Sequence, residues 1–362
     1  MKRITLALAG LLALVASLPA GTAKISQKGN FGIAGWLVYW DPKSMDSYER
    51  NAGLIDRVYP EWYIIGEDGL PLSNEFAYKE GPDREAFFAK KQKTKDIAKK
   101  HGIQIFSMIV NFDNKVMTHS AERVHKFLYN PAVWKKHIQL LVDNAVRDGA
   151  HGIDIDYENM KAADAQPFCE FMAELRKACD AKGLLLATAI APKSDHDGTW
   201  DGNQAHDYRC LGPSVHLLRP MTYDEHWGTS TAGPVSSPEF SELVTRYSTS
   251  VTDPQTVELG FAGYGYDWKG KKGDTIVWDD ILAYQKKGIK ITRDEETQEL
   301  TGRYQDEKGE WREFWFCDAY SYRPKYQIMR KYKMAGMAMW RFGSEDPRMW
   351  EDIKAYKFAK DW

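Results

Sequence analysis

The sequence predicts an α/β chain folded as a (β/α)8 barrel, with a small α+β insertion between the seventh and eighth strands. Three observations carry that expectation. Short apolar, β-rich runs alternate with longer amphipathic stretches along the 362 residues, the order that builds a parallel sheet with helices packed against it. Eight such runs can be counted. No Gly-rich phosphate turn follows an early strand, as an open doubly wound sheet that binds a dinucleotide would offer.

The eight strand candidates cover residues 33–40, 57–65, 103–110, 152–158, 184–191, 215–223, 256–264 and 336–342. Between them, amphipathic periodicity predicts helices over 83–101, 132–148, 165–182, 238–248, 322–332 and 346–355. The stretch 269–317 breaks this rhythm: it is charged and alternates like hairpins. Trp311, Phe314, Trp315 and Phe316 within it argue that part of the insertion packs rather than hanging as a loop.

The first 23 residues start basic (Lys2, Arg3), run apolar from Ile4 to Ala16 and end on the small residues Gly21 and Ala23. That pattern reads as an export signal, leaving 24–362 as one barrel domain, because the apolar run is shorter than the roughly 20 residues that span a bilayer. A periplasmic, wall-associated or extracellular location is expected, with no stable membrane anchor. Removing Lys2 and Arg3 takes the formal net charge from −2 to −4, which argues against nucleic acid or an anionic membrane as partner. A monomer is expected.

Cys169, Cys179, Cys210 and Cys317 are too scattered for a metal-binding C-x-x-C pattern or a disulfide-dense scaffold. Cys169 and Cys179 sit ten apart on a predicted helix, hence about 15 Å apart along it, and cannot bond. No metal or other cofactor is implied. Asp195, His196 and Asp197 cluster too tightly in sequence to converge on an ion and read as a polar loop. Aromatic residues make up 13% of the chain, enough to supply sugar-stacking faces as well as a core.

The chemistry concentrates in HGIDIDYEN, where Asp154, Asp156 and Glu158 recur at two-residue spacing. In a strand such residues share one face, and in a parallel barrel they rise toward the carboxyl ends of the strands, where active sites are built. Glu158 comes out on top. Crowded carboxylates cannot all ionise cheaply, so at least one holds a proton near neutral pH, as a general acid must. A solvated acidic strand or a cation site is the plainer alternative. Against it, Ile153 and Ile155 alternate with the acids, so both faces of the strand are covered and the carboxylates are buried.

These residues resemble a known family. HGIDIDYE is similar to the D-G-x-D-x-D-x-E signature of glycoside hydrolase family 18, PMTYDEHW at 220–227 resembles its sixth-strand M-x-Y-D element, and GMAMWRFGSEDP resembles its eighth-strand segment ending in tryptophan. WLVYW, NPAVWKKHIQLLVDNAV, YGYDW and WREFWFCDA look most like the branch of spore cortex-lytic and germination-associated hydrolases. The resemblance spans nearly the whole mature chain. It implies a retaining, exported glycosidase acting on β-linked N-acetylglucosamine in peptidoglycan, chitin-type oligomers or N-glycan cores. Glu158 would protonate the glycosidic oxygen, Asp156 would orient the acetamido group that attacks in place of a protein nucleophile, and Asp154 would tune Asp156 through a shared proton. Tyr223 would bond the acetamido oxygen, Asp224 and Met221 would contact the same sugar, and Trp340 would form its floor. Because the family includes lectins, a silent sugar-binding barrel is the alternative, disfavoured by the presence of Glu158.

Two departures from the family pattern stand out: His151 replaces the first Asp of the signature, and Cys317 occupies a position where the branch often has an acid. Asn111, at the end of the third strand, is either a sugar contact or a turn former. Tyr264, Tyr266 and Trp268 line a subsite or simply pack. Trp36 is a candidate sugar contact, but Trp36, Tyr39 and Trp40 straddle a strand and cannot all face one pocket.

Overall fold

Strand formation follows from apolar runs long enough to be buried on both faces, as the helices of an α/β barrel require. In the computed structural model, which describes residues 23–77, 82–360 and 362, eight such runs form a parallel sheet. They are β1 (Gly32–Leu37), β2 (Arg57–Ile65), β3 (Gln104–Val110), β4 (Gly152–Asp156), β5 (Leu185–Ile190), β6 (Leu217–Pro220), β7 (Glu258–Ala262) and β8 (Gly336–Trp340). The order around the sheet is β7-β8-β1-β2-β3-β4-β5-β6, and a single parallel bridge from Leu218 to Val257 joins its two ends. The expected export signal lies outside the described residues apart from Ala23.

Seven of the eight strands fall inside the runs marked out by sequence, and β1 begins one residue earlier, at Gly32; most are trimmed by one to three residues at their ends, where strand gives way to loop. Helices Pro82–His101, Pro131–Asp148, Ala165–Asp180, Pro238–Val251, Arg323–Tyr332 and Met349–Lys357 answer the six amphipathic segments. Pro131–Asp148 shows why such boundaries are readable: Asn130 caps the amides of Ala132 and Val133, a proline opens the first turn, and Gly149 closes it in the left-handed region at φ 66°. Helices Pro42–Asn51, Ala121–Leu128 and Tyr208–Ser214 are additional. A Cys169–Cys210 disulfide ties Ala165–Asp180 to Tyr208–Ser214, while the Cys179 thiol is free and buried. Among the described residues no helix is long and apolar enough to cross a membrane.

The barrel is filled at its amino-terminal half by charge as well as by apolar side chains. Arg57 on β2 reaches Glu258 on β7, which also accepts from the Tyr59 hydroxyl at 2.7 Å and from Arg219 Nε on β6 at 3.2 Å; Arg219 grips Asp154 on β4 with three contacts of 3.1 Å. Two guanidiniums and two carboxylates, all fully buried, thus neutralise each other, the condition under which buried charge is tolerated. Close quarters explain a glycine here: a Cβ on Gly32 would sit 1.8 Å from Arg57 Nη2.

Between β7 and β8 the chain makes a five-stranded antiparallel sheet, ordered 272–276, 265–269, 311–316, 300–305, 292–293, with helix Trp278–Lys286 against it. The insertion therefore starts at Gly265, four residues before the charged stretch signals it, because its first strand still reads as apolar and aromatic. Ile276, Ile281, Phe314 and Phe316 form a small core of its own. Trp311, at the solvent end of the same strand, is exposed.

Candidate active site

The carboxyl ends of the strands open into a cleft of about 880 Å³. Its wall is built from the strand ends and the residues just beyond them: Trp40 after β1, Glu61 on β2, Met108 and Val110 on β3, Asp156 at the end of β4 with Glu158 beyond it, Met221, Tyr223 and Asp224 after β6, Tyr264 after β7, and Trp340 at the end of β8 with Arg341 beyond it, with Tyr266, Thr275 and Val277 contributed by the insertion. The alternation along β4 places the acids as the spacing requires. Ile153 and Ile155 are fully buried on the helix side, while Asp154, Asp156 and Glu158 climb from the barrel interior to the cleft.

Burial, with Asp224 adding like charge, pushes the Glu158 carboxyl up to about 7. Burial, then the Glu158 charge beside it, lifts Asp156 well above the usual carboxylate range. Asp156 Oδ1 is buried without a hydrogen-bond partner among the described residues, an orphan acceptor at the base of the cleft. His119 Nε2 lies 3.5 Å from Glu158 Oε1, and burial lowers its pKa, so a neutral imidazole faces the acid at neutral pH.

Backbone geometry fixes the other carboxylate. Asp224 takes φ 57° and Asn159 φ 55°, both left-handed, a conformation that Asn and Asp adopt more readily than other side-chain-bearing residues. Asp224 Oδ1 accepts from the Tyr264 hydroxyl at 2.5 Å and the Tyr266 hydroxyl at 3.0 Å. Burial raises its pKa and those two donors oppose the rise. The insertion holds this side of the cleft in place: the Glu299 carboxylate receives the amides of Val235 and Ser236 at 2.9 and 2.7 Å, and Gly273 donates to the Gly228 carbonyl at 2.7 Å.

Of the ten residues singled out by sequence, Asp156, Glu158, Met221, Tyr223, Asp224, Tyr264 and Trp340 line the cleft together. Three do not. Asn111 is fully buried and fastens the backbone beneath the acid, its amide donating to the Glu158 carbonyl at 2.8 Å and its oxygen accepting the Glu158 amide at 2.9 Å; it has nothing left to offer a sugar at that oxygen. Trp36 is buried under Trp340, edge-on at 5.6 Å, because β1 turns it into the barrel; of Trp36, Tyr39 and Trp40 only Trp40 lines the cleft. Asp154 is fully buried against Arg219 and does not line the cleft. Burial raises the Asp154 pKa and Arg219 opposes it.

Neither of the two departures from the family pattern lines the cleft, although the Cys317 amide donates to the carbonyl of Tyr264, which does. His151 is exposed below β4, its Nδ1 accepting the Ile105 amide at 3.1 Å. Cys317 is buried behind the insertion, its Sγ 3.3 Å from Glu299 Oε1. Asp195, His196 and Asp197 form no metal cluster, nor does any other His, Cys, Asp and Glu group among the described residues. Sequence reasoning missed His119, Glu61, Asn74 and the Arg219–Glu258 pair. The last pair had a signal, since a charge inside an apolar parallel strand is an anomaly; the first three, two on loops and one on β2, had none.

A model of "Glycosyl hydrolases family 18" matches residues 76–345. The chain is 24% identical over 334 residues to an uncharacterized glycosylase, YvbX, of Bacillus subtilis, covering 90% of this chain and 93% of that one. It is 26% identical to the cortical fragment-lytic enzyme of the same organism, over 71% of this chain and 61% of the relative. Among solved structures, the spore cortex-lytic enzyme SleL of Bacillus megaterium superposes with a TM-score of 0.78 at 24% identity, over 92% of this chain and 75% of that one. A chitinase from Chromobacterium violaceum superposes with a TM-score of 0.80 at 24% identity, over 90% and 98% of the two chains. The matched domain covers most of the chain, and with it the acids of β4 and the tyrosines of the cleft: this protein belongs to glycosyl hydrolase family 18 and is a glycoside hydrolase.

Proposed function

We propose that the protein cleaves β-linked N-acetylglucosamine glycans with retention of anomeric configuration, using the substrate's own acetamido group as nucleophile. The observation that carries this reading is the unpartnered Asp156 Oδ1 beneath Glu158. A buried acceptor with no donor is the partner an acetamido N–H supplies. In this scheme Glu158 gives its proton to the leaving oxygen, and Asp156 holds the acetamido nitrogen as positive charge develops on it. The Tyr223 hydroxyl, which burial keeps protonated, donates to the acetamido oxygen. Asp224, held by two tyrosines, contacts the same sugar, and the Trp340 indole presents a flat face to its C–H surface.

Cell-wall glycan is the favoured polymer, because the relatives over which the chain aligns include cortical fragment-lytic and spore cortex-lytic enzymes. Export is the proposed route, in keeping with the leader-like first 23 residues and the Cys169–Cys210 disulfide. The protein acts as a monomer in a periplasmic, wall or extracellular setting, with no membrane anchor. Incubation of the mature protein with peptidoglycan, chitin oligomers and an N-glycan core, followed by mass spectrometry and proton NMR of the fresh products, tests the reading. It expects cleavage after N-acetylglucosamine with the β-anomer released first. Initial release of the α-anomer would refute the substrate-assisted route.

A further inference from the structure

The chain leaves the barrel sheet at Pro220, the last residue of β6, and Met221, Tyr223 and Asp224 follow with no ladder to hold them. The Thr222 amide donates back to the Pro220 carbonyl at 3.0 Å and the Tyr223 amide to the Met221 carbonyl at 2.7 Å, two successive three-residue turns. Asp224 then takes its left-handed conformation. Backbone of this kind persists only where its surroundings enforce it. Behind the cleft, Thr222 Oγ1 donates to the Gly260 carbonyl of β7 at 2.5 Å. The Thr222 carbonyl, part of the peptide unit that leads into Tyr223, accepts from the Ser236 hydroxyl. Ser236 Oγ in turn accepts from Lys325 Nζ at 2.7 Å, on helix Arg323–Tyr332. The amides of Val235 and Ser236 are both taken by the Glu299 carboxylate of the insertion. Thr222, Ser236, Glu299 and Lys325 are fully buried, and none of them lines the cleft.

We propose that Ser236, Glu299 and Lys325 are positioning residues for the reaction, a buried latch that fixes the Thr222–Tyr223 peptide and through it the Tyr223 hydroxyl. The inference rests on the glycosidase reading and deepens it: the insertion is part of what sets the geometry of the reacting sugar, besides walling the cleft. Direction in the latch is settled by chemistry. An ammonium only donates, so Ser236 Oγ accepts from Lys325 and its single hydrogen goes to the Thr222 carbonyl. The turn that carries Glu299 is closed in its turn, the Asp294 amide donating to the Glu299 carbonyl at 3.0 Å and the Asp294 carboxylate accepting the Thr297 amide at 2.8 Å. Burial raises the Glu299 pKa, and the Lys325 charge leads the interactions that oppose the rise; each ion is thus the other's compensation in a dry site. Tyr223 is the residue most exposed to an error in this arrangement, because a donor to the acetamido oxygen contributes only when placed where charge develops.

The test is steady-state kinetics on N-acetylglucosamine oligomers with wild type, Ser236→Ala, Tyr223→Phe and the double variant, each checked by thermal melting. Tyr304→Phe is the control, since it removes a 2.6 Å bond to Asp267 inside the inserted sheet and lies in neither the latch nor the cleft. The latch predicts that Ser236→Ala lowers kcat about tenfold, the rate equivalent of one well-made hydrogen bond, with KM changed by less than about twofold because the bond to the acetamido oxygen matters most in the transition state. Tyr304→Phe keeps the wild-type kcat. In the Tyr223→Phe background the same Ser236→Ala change costs less than about threefold, since the residue it acts through no longer bonds the sugar. An equal loss in both backgrounds, or a rise in KM with kcat unchanged, overturns the proposal and leaves Ser236 a structural residue. Wild type that cleaves no oligomer would instead count against the glycosidase reading. Amide hydrogen exchange over residues 221–226 then decides the latch without any turnover: faster exchange in Ser236→Ala than in Tyr304→Phe supports it, and equal exchange overturns it.

Discussion

Replacing Arg219 by methionine isolates the charge network beneath the cleft. Arg219 makes three 3.1 Å contacts to Asp154 and one of 3.2 Å to Glu258, and its guanidinium lies 3.7 Å from the Tyr59 ring. Methionine fills a similar apolar volume but leaves Asp154 without a cation, whereas Glu258 keeps Arg57 and Tyr59. Breaking a buried pair from one side costs about 3–5 kcal/mol, which for a domain of this size lowers Tm by about 4–7 °C. Burial already raises the Asp154 pKa against the pull of Arg219; without that cation it rises further, and the stranded carboxyl escapes part of the penalty by taking a proton. A carboxyl shifted in that direction costs nothing at pH below its unfolded pKa and costs progressively more as pH rises toward the folded one. The melting deficit of Arg219→Met is therefore larger at pH 8 than at pH 5. Adding Asp154→Asn, which removes the orphaned charge, recovers a large part of it at pH 8. Differential scanning calorimetry of the two variants at both pH values reads this directly. A deficit independent of pH, or a double variant less stable than the single, refutes the network as drawn.

Other consequences are simpler to read. Glu158 must be protonated to act as the acid and burial holds its carboxyl up at about 7; kcat therefore falls as pH rises through that value, and Asp224→Asn, by removing a neighbouring like charge, moves the alkaline limb of the kcat profile to lower pH. Reduction of Cys169–Cys210, which closes 41 residues, removes about 4 kcal/mol of chain-entropy stabilisation; Tm measured with and without dithiothreitol falls by about 5 °C, and Cys169→Ser reproduces the reduced value.

The parts of the molecule that were legible in sequence share one property: burial forces a pattern on them. Strands buried on both faces must be apolar throughout, so all eight stand out, and a carboxylate ladder inside one of them announces the site. What was illegible depends on closure of the barrel. Trp36 and Trp340 look equally suited to stack on a sugar, and only the inward turn of β1 puts Trp36 beneath Trp340. Asn111 carries no sign that its side chain is spent on the Glu158 backbone. His119 comes from a short hairpin after β3 and meets Glu158 across 39 residues of chain with no motif linking them. The first strand of the insertion was not separated from the end of β7 because Tyr266 and Trp268 read equally as subsite or packing residues; Tyr266 lines the cleft and Trp268 does not.

The most direct test of the central claim is the turnover of Glu158→Gln on whichever glycan the wild type cleaves. Glutamine keeps the shape of the side chain and the Asn111 bonds to its backbone but has no proton to give. The account predicts an unchanged melting temperature and affinity, with kcat lower by about 10²–10⁴-fold. A folded Glu158→Gln protein that turns over within a few fold of wild type contradicts it.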